Sequence, residues 1–188
     1  MQEILNSVGM VAQVHHSAEE FIRKHFTQVA SCLILDLRMP GMTGLELIEW
    51  LRSRKIEMPI IVLSSHGDIP AVVQSMKLGA AEFLEKPPVP ALLIEAVRRL
   101  LQSDAQRIAA RAKIQEIYDD FARLTEREKE LVELLANGLS SKQIAASIGI
   151  SIKTVENHRS HVLAKTHAVN VASLVRMKMM VNPQPVGA

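Results

Sequence analysis

The chain has 188 residues, room for one large domain or two small ones, and its 48% apolar content and mean hydropathy of +0.12 exclude general disorder. Cys32 is the only cysteine, so an internal disulfide is excluded, and no run of eighteen apolar residues exists to cross a membrane. The formal charge of +2 is unevenly spread: residues 1–101 carry ten Lys/Arg against eleven Asp/Glu, whereas residues 137–188 carry six against Glu156 alone. That asymmetry fits a near-neutral domain joined to one that meets a polyanion, although a surplus this small does not establish DNA binding.

From Met1 the patterning predicts a helix remnant over 2–8, a strand over 11–15, a helix over 17–25 and a strand over 32–36. A helix over 44–53, a strand over 59–64, a helix over 70–78, a strand over 81–85 and a helix over 89–101 follow. Alternating strands and helices imply a parallel sheet covered on both faces. The runs CLILD and PIIVLS are almost wholly apolar, as strands buried on both sides are. Pro70 near a helix start and Gly79 past its end follow the usual asymmetry. In such sheets ligands gather at the carboxyl ends of the strands, where Asp36, Ser64 and Lys86 stand. A lone Asp there is ordinarily a cap or turn residue. A carboxylate, a hydroxyl and a cation closing successive strands can instead act as nucleophile, holder of a phosphoryl oxygen and counter-charge. Glu19 and Glu20 fall in the first turn of a helix, where solvated acids favour the helix dipole.

Residues 102–123 contain no Gly or Pro and predict a helical linker. Ala110, Ile114, Ile117, Phe121 and Leu124 recur at spacings 4-3-4-3. Such a seam serves either a short coiled coil or packing on the adjoining domain.

Residues 124–188 are read from their punctuation. Thr125 with Glu128, and Ser140 with Gln143, form capping boxes, and Ser151 caps a third helix. Asn137-Gly138 and Gly149 supply the stops. Leu131, Leu134 and Leu135, then Ile144, Ala145 and Ile148, then Ile152, Val155, Val162 and Leu163 are the expected core. Two short helices joined by a turn with Gly describe a helix-turn-helix. The outer face of the third helix carries Lys153, Glu156, Asn157, Ser160 and His161, with Lys165 near its end. This face is either merely solvated or long enough to reach base edges and phosphates. A fourth helix is expected over 171–181, and the tail NPQPVGA is expected to be mobile.

The run LTEREKELVELLANGLSSKQIAASIGISIKTVENHRSHVLAKT resembles the LuxR-type helix-turn-helix that ends many bacterial response regulators. The resemblance implies a third helix in the major groove, with Glu156, Asn157 and Ser160 at base edges. Lys142, Lys153, Thr154, His158, Arg159 and Lys165 would lie nearer the phosphates. Thr166-His167 departs from that family in local packing. The fourth helix would be a dimer surface, although Leu174, Val175 and Met177 equally suit a core.

CLILDLRMPGMTGLELIEWLR and IIVLSSHGDIPAVVQSMKLGAAEFLEKP resemble the receiver domain of two-component response regulators of the FixJ/NarL type. That likeness implies Asp36 as phosphoacceptor, Asp36 and the Arg38 carbonyl as Mg²⁺ ligands, and Ser64 and Phe83 as switch residues. Lys86 would be the phosphate-binding cation, with a cis Lys86–Pro87 bond. A sensor histidine kinase, double-stranded DNA and a second copy of the chain are the implied partners.

The chain departs from the receiver pattern at its start. It begins inside the first helix, and no acidic pair precedes residue 19. A weakened Mg²⁺ site and slow or lost phosphorylation of Asp36 are expected. The absent strand would also leave an unpartnered edge. Three outcomes are open: residues 11–15 cross over to 32–36, the edge stays loose, or another chain fills it. A natural truncation and a start placed too far downstream both remain open.

The expected fold is a flavodoxin-like parallel α/β receiver lacking its first strand (1–101), a helical linker (102–123) and a small all-α four-helix domain (124–188). The expected function is that of a cytoplasmic, non-enzymatic, DNA-binding transcription regulator. The alternative is an interaction module that titrates a sensor kinase or pairs with a full-length regulator.

Overall fold

A computed structural model of the chain describes residues 1–24, 29–65 and 69–181, so the predicted mobile tail and the end of the helix expected over 17–25 lie outside the described residues. The chain divides into two compact units, 1–109 and 110–188.

In the first unit three parallel strands, β1 (Leu33–Asp36), β2 (Ile60–Ser64) and β3 (Glu82–Glu85), lie in the order β1-β2-β3. Register pairs Asp36 with Leu63 and Ser64 with Glu85. Every residue of β2 is buried, which its apolar run required. One face of the sheet packs Leu35, Ile60 and Val62 against α2 (Ala18–Lys24) and α3 (Gly44–Ser53) through Phe21, Leu47, Ile48 and Leu51. The other packs Ile61, Ile34 and Leu84 against Leu93, Ala96, Val97 and Leu100 of α5 (Pro90–Ala122). Leu5 of the short α1 (Gln2–Asn6) joins that second cluster. α4 (Ile69–Lys77) is held at its end by Arg52, whose guanidinium donates to the carbonyls of Ile56, Met58 and Gly79.

The strand expected over 11–15 does not form. Met10 and Ala12 pack inward while Val11 is 94% exposed, so an in–out alternation is kept without a ladder. A strand exists only through a hydrogen-bonded neighbour, and among the described residues β1 pairs with β2 alone. Of the three outcomes left open, crossing over to β1 is therefore excluded for this segment. Helix and linker expected as separate pieces are one helix, α5, and the division between the units falls within it after Ala109. Buried Asp104 accepts the Ser31 N–H and pairs with Arg107, fixing this part of α5 in the first unit.

The second unit adds α6 (Glu126–Ala136), α7 (Ser141–Ile148), α8 (Ile152–Lys165) and α9 (Val171–Val181). Both capping boxes form, and the Ser151 hydroxyl accepts the Thr154 N–H. Gly138 and Gly149 take φ of +80° and +70°, conformations a side chain would strain. Leu131, Leu135, Ile144, Val155, Val162 and Leu174 make one core against which Phe121, Leu134, Leu163 and Met177 pack. Ile152 is exposed, contrary to expectation, because as the first residue of α8 it precedes the turn at which Val155 goes inward. Thr166 is fully buried and donates back to the Val162 carbonyl, and His167 takes the left-handed position after the helix at φ +53°.

Candidate functional site

Sheet register brings Asp36, Ser64 and Lys86 to one end of the first unit. Asp36 closes β1, Ser64 closes the neighbouring β2, and Lys86 follows β3, its backbone N–H donating to the Ser64 carbonyl at 2.8 Å. The Lys86 ammonium donates to Asp36 Oδ2, and the Arg38 N–H donates to Oδ1 at 3.0 Å. The Asp36 side chain is 38% exposed, open enough for an incoming group. Ser64 is buried and donates to the Ser65 carbonyl at 3.2 Å. Phe83 stands on β3 half exposed, and the Lys86–Pro87 bond is cis. The arrangement holds a carboxylate beside a cation, with a hydroxyl on the adjacent strand.

Two residues that shape this site escaped sequence reasoning. A Cβ at Gly44 would lie 2.5 Å from the Asp36 carbonyl oxygen and 2.8 Å from Leu37 Cα, so α3 starts against the backbone of β1 only because residue 44 lacks a side chain. The run GMTG could have signalled it. Glu19, expected to be solvated, accepts the Met42 N–H at 3.1 Å and so orders the loop between β1 and α3. Its backbone partners draw its carboxyl below the ordinary range. No local signal marks a contact across 23 residues.

A divalent cation here would draw on the Asp36 carboxylate and the Arg38 carbonyl. Among the described residues no three His, Cys, Asp or Glu side chains come together, and the Asp36 carboxylate is already met by an ammonium. Mg²⁺ demands octahedral oxygen ligation and is usually held by one or two carboxylates plus phosphate oxygens. The residues described do not by themselves fit it.

On α8 the predicted residues divide by what holds them. Lys153, Asn157 and His161 are exposed, His158 is half-buried, and none of the four has a side-chain partner among the described residues; Lys142 on α7 is likewise exposed and unpaired. Ser160 donates to the Glu156 carbonyl at 3.0 Å, and Thr154 shares a hydrogen bond with Ser151 at 2.9 Å. Glu156 accepts from the Ser141 hydroxyl of α7 and lies 3.7 Å from Arg159. Lys165 does not stand free: its ammonium donates at 2.7 Å to Glu128, a buried carboxylate that also accepts the Thr125 N–H at 2.8 Å. Burial alone would push the Glu128 carboxyl up. The Lys165 ammonium and the Thr125 N–H and hydroxyl outweigh it and hold the group at about 2. On α9, Leu174 is fully buried and Met177 packs on the core, which leaves Met179 and Met180 exposed.

Comparison with known proteins agrees with both halves. Residues 1–98 match the response regulator receiver domain, and residues 122–178 match the bacterial regulatory proteins of the luxR family. The chain is 40% identical to the transcriptional regulatory protein FixJ of Azorhizobium caulinodans over 97% of this chain and 86% of that one. It is 37% identical to nodulation protein W of Bradyrhizobium diazoefficiens over 94% and 78% of the two chains. Among solved structures, the response regulator StyR superposes with a TM-score of 0.86 at 37% identity, over 94% of this chain and 89% of that one. The chain thus belongs to the two-component response regulators that join a receiver domain to a LuxR-type helix-turn-helix, and it is a DNA-binding regulator of transcription.

Proposed function

We propose that the chain acts in the cytoplasm as a homodimer on DNA, α8 lying in the major groove with Glu156, Asn157 and Ser160 at base edges. Lys142, Lys153, Thr154, His158 and Arg159 flank the phosphates, and Lys165 contributes there only after leaving Glu128. The observation that carries this reading is the row of polar groups on α8 without partners among the described residues, Lys153, Asn157 and His161, beside Lys142, which is likewise unpaired among them. Groups left without internal partners on the outer face of a helix are available to base edges and phosphates. Affinity is expected to fall with salt at a log–log slope of about −0.9 per phosphate neutralised, and Lys153→Ala or Lys142→Ala to flatten that slope by about one. Asn157→Ala is expected to relax base choice with the slope unchanged. Equal binding of random duplex by wild type and variants alike would favour the interaction-module reading instead.

On the receiver side, a sensor histidine kinase is the partner and Asp36 the acceptor, so the chain is a substrate of phosphoryl transfer and not an enzyme. One oxygen of Asp36 forms the new bond to phosphorus as the donor's bond breaks, and Lys86 meets the charge that develops. In this 188-residue chain the transfer is slow, because Asp36 meets its phosphoryl donor with one ammonium and, among the described residues, no acidic cluster that would hold a divalent cation. Incubation with acetyl phosphate and Mg²⁺, read by intact mass, is expected to label Asp36 far more slowly than a receiver with a complete acidic pair. Labelling at ordinary receiver rates would end this part of the reading.

A further inference from the structure

Glu156 is a poor residue for affinity. A carboxylate facing a duplex is repelled by the phosphates, and its position on α8 would serve non-specific binding better as Lys. The structure nevertheless holds it in place. Oε1 accepts the Ser141 hydroxyl from the first turn of α7, and the Arg159 guanidinium lies 3.7 Å from the same oxygen. Oε2 takes no hydrogen bond among the described residues, and the side chain is 45% exposed. One oxygen is thus anchored and partly neutralised, leaving the other as an oriented acceptor beside Asn157.

We propose that Glu156 is a specificity-determining residue whose free oxygen accepts the N4 amino group of a cytosine in the major groove. The assignment rests on α8 being the groove-reading helix. A carboxylate offers lone pairs and no donor, so it repels the O6 and N7 of guanine and the O4 of thymine. Adenine presents its amino group between two acceptors, its own N7 and the O4 of the paired thymine, whereas cytosine N4 has an acceptor on one side only, the O6 of the paired guanine. Cytosine is therefore the base a lone, fixed carboxylate oxygen selects, and it does so partly by rejecting the others. Ser141 and Arg159 are positioning residues: the first fixes the rotamer and the second offsets repulsion from the backbone.

The test uses the full 188-residue chain. Preferred duplexes are selected from a randomised pool, and affinities are then measured at fixed salt for each single-base-pair change. Wild type is expected to require C·G at one pair of each half-site, with about a tenfold loss on replacement. Glu156→Ala is expected to abolish the choice at that pair and keep it at the others. Glu156→Gln, which can donate as well as accept, is expected to move the choice toward adenine. Ser141→Ala is expected to narrow discrimination at the same pair alone. The proposal is overturned if Glu156→Ala keeps the wild-type choice at every pair, or if Glu156→Ala and Ser141→Ala weaken all duplexes equally, as a mere clamp between helices would. Loss of choice at a neighbouring pair on Asn157→Ala supports the groove reading independently. No base choice by wild type at all overturns both.

Discussion

The molecule contains two carboxylate–lysine pairs that look alike on paper and differ in everything around them. Asp36 meets Lys86 at the open end of the sheet, with one further backbone N–H and more than a third of its side chain in solvent. Glu128 meets Lys165 with 5% of its side chain exposed, inside a capping box that also uses the Thr125 N–H and hydroxyl. The first pair leaves a carboxylate oxygen reachable by an incoming group, which is what an acceptor needs. The second uses a charge to join the start of α6 to the end of α8. Surroundings, not residue types, separate an accessible pair from an enclosed one.

The sharpest way to break that contrast is to remove each acid. Glu128→Ala deletes the box and leaves Lys165 without its partner, and is expected to destabilise the second unit by about 3 kcal/mol. Asp36→Ala is expected to change stability by less than about 1 kcal/mol, the range of exposed pairs. Amide hydrogen exchange of peptides from α6 and from β1 measures both in one sample. Comparable losses in the two variants would show that both pairs are structural.

A second probe sharpens the receiver side. Gly44→Ala places a methyl group against the backbone of Asp36, and a cost of about 1–3 kcal/mol is expected as α3 backs away. Exchange protection in α3 should fall while that of α6–α9 stays constant. Unchanged protection would mean that the close approach is not needed.

The smallest effect expected is in pH. Glu128 is held at about 2 against an ordinary 4.5, so the folded form keeps its carboxylate charged where the unfolded chain has begun to protonate. Its contribution is complete above 4.5 and is lost as pH falls from there toward about 2. Protection in α6 and α8 should decline over that window for wild type and lose this component in Glu128→Gln. An identical acid profile in both chains would detach the stability of this unit from the pair.

The same contrast explains how much could be read from residues alone. The boxes at Thr125 and Ser140, the cap at Ser151 and the three strand ends were legible because each is fixed by residues within a few positions. The strand over 11–15 misled for the same reason: alternation is local, but a ladder needs a neighbour the described chain does not provide. Glu128–Lys165, Ser141–Glu156 and Glu19–Met42 join positions 37, 15 and 23 residues apart, and packing decides them. Reading Lys165 as a phosphate contact failed to anticipate Glu128 because helical spacing says which face a side chain leaves from, not what waits there.

The helix that runs from one unit into the other sets a limit on how two copies can associate. Ile117 is buried within the single chain, and Phe121 and Leu124 join the core of α6–α9. Of the five residues spaced for a seam, only Ala110 and Ile114 stay outward, little more than a single helical turn. A two-stranded rope cannot be wound from so short a length. The homodimer proposed above would therefore draw on other surfaces, and trimming Ile114 to Ala should leave the molecular mass in solution untouched.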